Sequence, residues 1–293
     1  MDFHLPVLLN EVLTIFDVQE NSIYLDATVG NGGHSLGLLE KGAIVYGLDQ
    51  DPANLKIATD RIIKAGFKDR FFPINNNFNQ LESIIHDNLP KIPSGILFDL
   101  GLSSGQLKTM GRGFSYDDDQ SIDMRLDPSA ETLTAEEVIN TYSYEQLYNI
   151  FTLYAQEKLS KPLIIRIISE RQKSPIKSGA RLASIIRQYY QDKHQHPKID
   201  PSTKIFMALR IYVNNEFNNL KKILEDTLKY SGTQIVIISF HSGEDRIVKN
   251  FIRKATIVQK IHNLTPKAIM PSSAEIKQNN LSRSAILRSY KIV

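Results

Sequence analysis

Five short apolar runs punctuate the chain: Ile23–Ala27, Ala43–Leu48, Phe71–Ile74, Ile96–Leu100 and Gln234–Phe240. The first four are separated by segments of helical length, such as Pro52–Ala65 and Asn79–Asn88. Strands alternating with helices build a parallel sheet covered on both faces. Pro52 suits the first turn of its helix, where a missing N–H costs nothing. After Leu100 the rhythm stops, and roughly 130 residues pass before the next strong strand, too many for a plain crossover. Within that gap Ala135–Asn140, Glu145–Ile168, Ala180–Tyr190 and Thr203–Leu228 carry apolar residues at helical spacing. The pattern predicts an inserted helical domain, 107–204, returning to the sheet through a long helix. The sheet domain is then 1–106 together with 205–293. Beyond Phe240 it predicts a helix, Glu244–Arg253, and two β-rich segments, Thr256–Asn263 and Ser284–Val293, that pair at the sheet edge. The fold class expected is α/β, a Rossmann-like sheet with an inserted, mostly helical domain.

The turn after the first strand carries the first chemistry. Residues 26–35 read Asp-Ala-Thr-Val-Gly-Asn-Gly-Gly-His-Ser, and the second strand ends in Asp49. Gly30, Gly32 and Gly33 let the backbone turn sharply and approach a ligand closely. The following helix offers unpaired N–H groups to whatever sits in the turn. Asp49, at the tip of the next strand, is placed to accept hydrogen bonds from both hydroxyls of a ribose. A dinucleotide site prefers G-x-G-x-x-G, and here Ser35 takes the third glycine's place. Asp26 lies at the end of the strand, where a carboxylate repels a pyrophosphate but suits an amino group. S-adenosylmethionine carries an amino group, a sulfonium, a ribose and no phosphate, so the pattern favours it over NAD.

Composition narrows the classes. The 293 residues contain no Cys, which excludes disulfides and thiolate zinc sites. The seven His residues lack metal-ligand spacing such as H-E-x-x-H, so no metal is expected. No apolar run is long enough to span a bilayer, and Met1–Pro6 lacks the basic and apolar regions of a secretory signal; a cytoplasmic protein with no membrane partner is expected. The net charge of +3 is unevenly spread. From Lys158 to Arg210 there are twelve Lys or Arg against Glu170, Asp192 and Asp200, and from Phe251 to Val293 eight against Glu275. Such excess suggests a polyanionic partner, although a solvated helix face accounts for either stretch alone.

In open α/β sheets ligands bind outside the carboxyl ends of the strands. The fourth strand ends in Asp99-Leu100-Gly101-Leu102-Ser103-Ser104-Gly105-Gln106, and the fifth in Ser239-Phe240-His241-Ser242. Asp99 is placed to accept a hydrogen bond or proton from an amine nucleophile; an N-cap or turn role is its plainer reading. His241, Ser242 and Asp245 do not make a hydrolase set, because neighbouring residues at a strand end point apart and no G-x-S-x-G elbow is present.

Together these stretches resemble the bacterial rRNA small-subunit methyltransferase H family, also called MraW. The resemblance rests on Leu5-Pro6-Val7-Leu8-Leu9 with His4 and Glu11, on Asp26–Thr28 and Gly32–Ser35, and on Asp49–Pro52. It continues through Phe98–Gly101, Ser103-Ser104, Gln106-Leu107, Arg112–Ser115 and Asp123–Arg125. Ala208–Ile211, Val213-Asn214, Ile238–Ser242, Glu244–Arg246 and Arg283–Ala285 complete it. Gly105, Met207, Gly243 and Asn280-Leu281 depart from the family pattern.

The resemblance implies methylation of the exocyclic N4 of a cytidine in the decoding region of 16S ribosomal RNA, within the small ribosomal subunit, with S-adenosylmethionine as cofactor. It implies that Gly32, Gly33 and His34 line the methionine end of the donor, that Asp49 binds its ribose, that Phe78 lies near its adenine, and that Asp99 and Gln106 complete the pocket. Asp99 is then the first candidate acceptor for the cytosine amine, with Ser103, Ser104, His241 and Ser242 as positioning groups. The acidic run Asp117–Asp119 reads as a solvated loop. Two rival functions stay open: an NAD-dependent dehydrogenase, and a non-catalytic RNA-binding assembly factor on a methyltransferase fold. Homodimer formation is left open by the sequence.

Overall fold

The structure, a computed structural model, describes residues 5–102, 106, 111–155, 160–195 and 197–293. The chain separates into two compact units, one formed by 1–103 and 217–293, the other by 104–216. The boundary expected after Lys204 thus stands beside an observed division after Glu216.

Among the described residues, the first unit holds a seven-stranded sheet in the order β3-β2-β1-β4-β5-β7-β6. Strands β1 (Ile23–Asp26), β2 (Ile44–Asp49), β3 (Phe71–Asn75), β4 (Gly95–Asp99) and β5 (Gln234–Ser239) are mutually parallel. Beside β5, β7 (Ile286–Ile292) runs antiparallel to it, and β6 (Ile261–Asn263) at the edge runs antiparallel to β7. The order reverses between β1 and β4, which makes their carboxyl ends the switch point where such Rossmann-like sheets bind ligands.

Alternate strand residues feed two cores, as the period-two geometry of a strand requires. Ile23, Leu25, Ile96, Phe98, Ile235 and Ile237 pack on one side with α4 (Leu81–Asn88), α10 (Glu216–Thr227) and α11 (Ser242–Ile257). Tyr24, Val45, Leu97, Val236 and Ile238 pack on the other with α1 (Leu9–Phe16), α2 (Gly33–Glu40) and α3 (Pro52–Lys64). The segment Thr256–Asn263, read as β-rich, is instead the end of α11 followed by a short strand. A short helix, α12 (Ser273–Gln278), precedes β7.

The second unit is helical: α5 (Ala135–Thr141), α6 (Tyr144–Ile150), α7 (Ser160–Lys173), α8 (Gly179–Asp192) and α9 (Ser202–Val213). Capping boxes at Thr134 and Ser143 start the first two. The single helix expected over Glu145–Ile168 is interrupted by a π-type turn at Phe151–Ala155. The long return helix expected over Thr203–Leu228 is two helices. The break falls at Asn214-Asn215, where Asn215 adopts a left-handed φ of 51° that Asn tolerates better than most residues. Asn214 turns its amide to the Met124 carbonyl and accepts the Leu126 N–H, so the chain is held away from helical continuation.

The acidic loop is solvated only in part: Asp117 and Asp119 are exposed, and Asp118 is not. Asp118 is fully buried and accepts the N–H groups of Gly111, Gly113, Gln120 and Ser121 at 2.7–3.3 Å. Its carboxylate gathers a backbone that has no regular partner of its own.

Candidate active site

The glycine turn, the tips of β1, β2 and β4, and the start of α2 form one cleft in the first unit. Gly32 has φ +74°, and a Cβ there meets Ala58 Cβ at 3.1 Å; a Cβ on Gly33 meets Pro6 Cβ at 3.0 Å. Only glycines let this turn lie so close to α3 and the N-terminal segment.

Four carboxyl and hydroxyl groups tie the strand tips together. Asp49 accepts the Gly30 N–H at 2.9 Å and the Asp51 N–H at 2.8 Å, with the Asn54 amide at 3.4 Å. It therefore fixes the glycine turn to the end of β2. Asp26 accepts the Ser35 hydroxyl at 2.7 Å and the Thr28 N–H at 3.3 Å and is almost fully buried, so it braces the turn from beneath. The Thr28 hydroxyl in turn accepts the Asp99 N–H at 2.6 Å, linking β1 to β4.

Asp99 sits at the carboxyl end of β4. Its Oδ2 lies 3.5 Å from His34 Nδ1, and 24% of the side chain is open to solvent. Its Oδ1 is shut off from solvent and has no hydrogen-bond partner among the described residues. Burial pushes Asp26, Asp49 and Asp99 each up to about 6, against the pull of the N–H and hydroxyl donors on the first two and of His34 on Asp99.

His34 is buried at the first turn of α2, and its Nε2 faces the Val7 carbonyl at 2.9 Å. Only an N–H satisfies a carbonyl, so Nε2 carries a hydrogen. The N-terminal segment that supplies Val7 is itself pinned: the Leu8 N–H donates to Glu275 Oε1 at 2.7 Å, and the Asn279 amide donates to the Leu5 carbonyl at 2.9 Å. Phe78 lies in the short turn after β3, partly exposed, with its ring edge-on to Phe98 at 6.2 Å.

The other residues singled out from the sequence divide. His241 caps α11: its Nδ1 accepts the N–H groups of Gly243 and Glu244, and its Nε2 stands 3.2 Å from Glu244 Oε1. The Nδ1 nitrogen is committed to the helix. Ser242 is exposed at the start of the same helix. Gln106 is buried in the second unit. Ser103 and Ser104 lie outside the described residues. Thr28, Ser35 as a partner of Asp26, Asn54 and the Val7 carbonyl were not singled out from sequence. Each acts through a backbone or side-chain contact, most of them across the fold, and carries no spacing signature.

Comparison with known proteins gives the cleft its class. The model of the MraW methylase family matches residues 1–293, the whole chain. The chain belongs to the MraW methylase family. Curated relatives named ribosomal RNA small subunit methyltransferase H agree. Those from Sulfurihydrogenibium sp. (strain YO3AOP1), Persephonella marina and Ehrlichia chaffeensis are 39%, 40% and 36% identical. The alignments cover 97% of both chains for the first and 98% of both chains for the other two. Membership sets aside the dehydrogenase reading, and the methyl donor of this methylase is S-adenosylmethionine.

The residues present suit that donor. Asp49 at the tip of β2, a turn that only glycines let pack so closely, and the partly exposed carboxyl of Asp99 form a group whose carboxyls favour a cationic ligand. No described helix is long and apolar enough to cross a membrane.

Proposed function

We propose that this protein methylates the exocyclic N4 of a cytidine in the decoding region of 16S ribosomal RNA, acting in the cytoplasm on the small ribosomal subunit. The observation that carries the reading is the partly exposed carboxyl of Asp99 at the switch point of the sheet, beside the glycine turn. The names of the relatives, which place ribosomal RNA of the small subunit in their activity, support the substrate class.

When bound, S-adenosylmethionine supplies a methyl group on a sulfonium that is already a good leaving group. The chain's own task is alignment and exclusion of water. Asp49 orients the ribose, and Gly32 and Gly33 give the donor a close backbone seat. A cytosine amine is a poor nucleophile because its lone pair is delocalised into the ring. The exposed part of the Asp99 carboxylate accepts a hydrogen bond from one amine N–H, localises that lone pair and takes up the proton that is lost. Its raised proton affinity, near 6, suits a base that must be ionised at neutral pH and still accept a proton. The target base leaves its stack to reach the cleft.

The test is methyl transfer from labelled S-adenosylmethionine to purified small subunits, followed by nucleoside analysis of the RNA. Label in N4-methylcytidine is expected. Label in another nucleoside overturns the position, and absence of label with donor bound points to the non-catalytic assembly-factor reading.

A further inference from the structure

The face between α10 and α11 carries a stripe of cations that the active site does not use. Lys221 on α10, Lys254 on α11 and Lys260 beyond it are exposed there. Among the described residues none of these three makes an ion pair or a side-chain hydrogen bond. The neighbouring Lys222 and Lys229, by contrast, are paired with Asp226 and Glu82. The acids of α11 are withdrawn: Glu244 is buried in the capping box and Asp245 is paired with Arg288 at 2.6 Å. Unpaired cations in a row mark a surface built for a polyanion rather than for its own fold.

Beside the stripe lies a groove of about 390 Å³ between α10 and α11. Its floor is apolar, formed by Leu224, Leu228, Ile247, Phe251, Ala255 and Val258; Lys221, Lys254 and Lys260 line it too, and among the described residues Glu225 is its one acid. A duplex presents phosphates alone and leaves such a floor uncovered. A single strand presents phosphates and unstacked bases together, and bases settle on apolar and aromatic surface. The position fits as well. The α11 N-cap follows β5, whose Ile238 pairs with Asp99 of β4, so the helix starts at the edge where Asp99 lies. Its sixteen residues run about 24 Å from there, at 1.5 Å per residue.

We propose that the α10–α11 groove forms a docking track for single-stranded RNA flanking the methylated base, with phosphates on Lys221, Lys254 and Lys260 and a base on the Phe251 floor. The proposal rests on the RNA reading above. Binding requires no methyl transfer, so the two readings fail separately.

The test uses the full chain, a labelled uridine octamer and a short RNA duplex, followed by anisotropy. The charge-reversed variant Lys221→Glu/Lys254→Glu/Lys260→Glu is expected to bind the octamer at least about tenfold more weakly at moderate salt, with a salt slope shallower by about 2. Its affinity for S-adenosylmethionine stays unchanged. Val258→Ser, at an exposed position, is expected to weaken the octamer and leave the duplex untouched. Unchanged octamer affinity and salt slope in the reversed variant overturn the proposal. So does competition for the groove by an acidic amphipathic peptide without competition by the octamer.

Discussion

His34 Nδ1 stands 3.5 Å from Asp99 Oδ2, and the opposite ring nitrogen of His34 is bound to the Val7 carbonyl. The second contact determines what the first can be. With its hydrogen on Nε2, a neutral His34 turns a lone pair toward Asp99, and two lone pairs repel. Either one proton bridges the pair or a bound donor spreads the charge.

Asp99→Asn keeps the shape of the side chain and removes its charge and its capacity to take up a proton. The substitution is expected to slow methyl transfer by about 100-fold or more, the usual range for loss of a positioned base. Donor affinity should change far less. Single-turnover transfer measured beside calorimetric titration with S-adenosylmethionine separates the two effects. A large loss of donor affinity with transfer intact at saturation would assign Asp99 to holding the donor instead.

Donor binding should depend on pH through the same carboxyls. Asp26, Asp49 and Asp99 each lie near 6 in the folded, donor-free protein, above the ordinary 3.8. They are thus largely protonated at pH 5 and ionised at pH 7. A cationic donor prefers the ionised form, so affinity is expected to rise from pH 5 to 7 and then level off. Linkage gives the matching sign for stability: between about 4 and 6 the folded state binds more protons than the unfolded one, so these groups make the donor-free protein less stable as pH rises through that window. Titration calorimetry at several pH values and thermal melts of the donor-free protein check both slopes. Flat donor affinity across the window contradicts the assignment.

Two glycines separate backbone strain from ligand contact. Gly66 has φ +89° with nothing within 4 Å of an added Cβ, whereas Gly32 has φ +74° and Ala58 at 3.1 Å. Gly66→Ala should cost about 1 kcal/mol from the left-handed conformation alone and leave donor binding intact. Gly32→Ala should cost more and also weaken donor binding, because the turn must shift. Denaturant melts and donor titrations on both variants make the comparison.

Much of this architecture was legible in the chain, because strand order and the glycine turn are local signals. The runs at Ile23, Ala43, Phe71, Ile96 and Gln234 announced the sheet, and strand ends located Asp49 and Asp99. What was not legible depends on contacts distant in sequence. Val7 meets His34 across 27 residues, and Thr28 meets Asp99 across 71. The break at Asn214-Asn215 was hidden because apolar spacing continues through it, and only the bonds to Met124 and Leu126 explain it. Asp117–Asp119 misled for a related reason: three adjacent acids look solvated, but only Asp118 turns inward, and composition does not tell the three apart.

Asp118 gives a prediction for the second unit. Asp118→Ala leaves four N–H groups without their acceptor in a loop that has no ladder of its own. Loss of about 3 kcal/mol of stability is expected, in line with buried donors left unsatisfied. Asp119→Ala, in an exposed neighbour, should cost about 0.5 kcal/mol or less. Denaturant unfolding of the two variants checks the contrast.

The central claim is that the cleft brings a methyl donor to a nucleobase amine beside Asp99. Mass spectrometry of 16S ribosomal RNA nucleosides tests it most directly, in cells lacking the protein and in the same cells supplied with the native chain or with Asp99→Asn. The account predicts a methylated cytidine that disappears without the protein, returns with the native chain and does not return to its full level with Asp99→Asn. An RNA methylation pattern that is identical in all of these cells would contradict it.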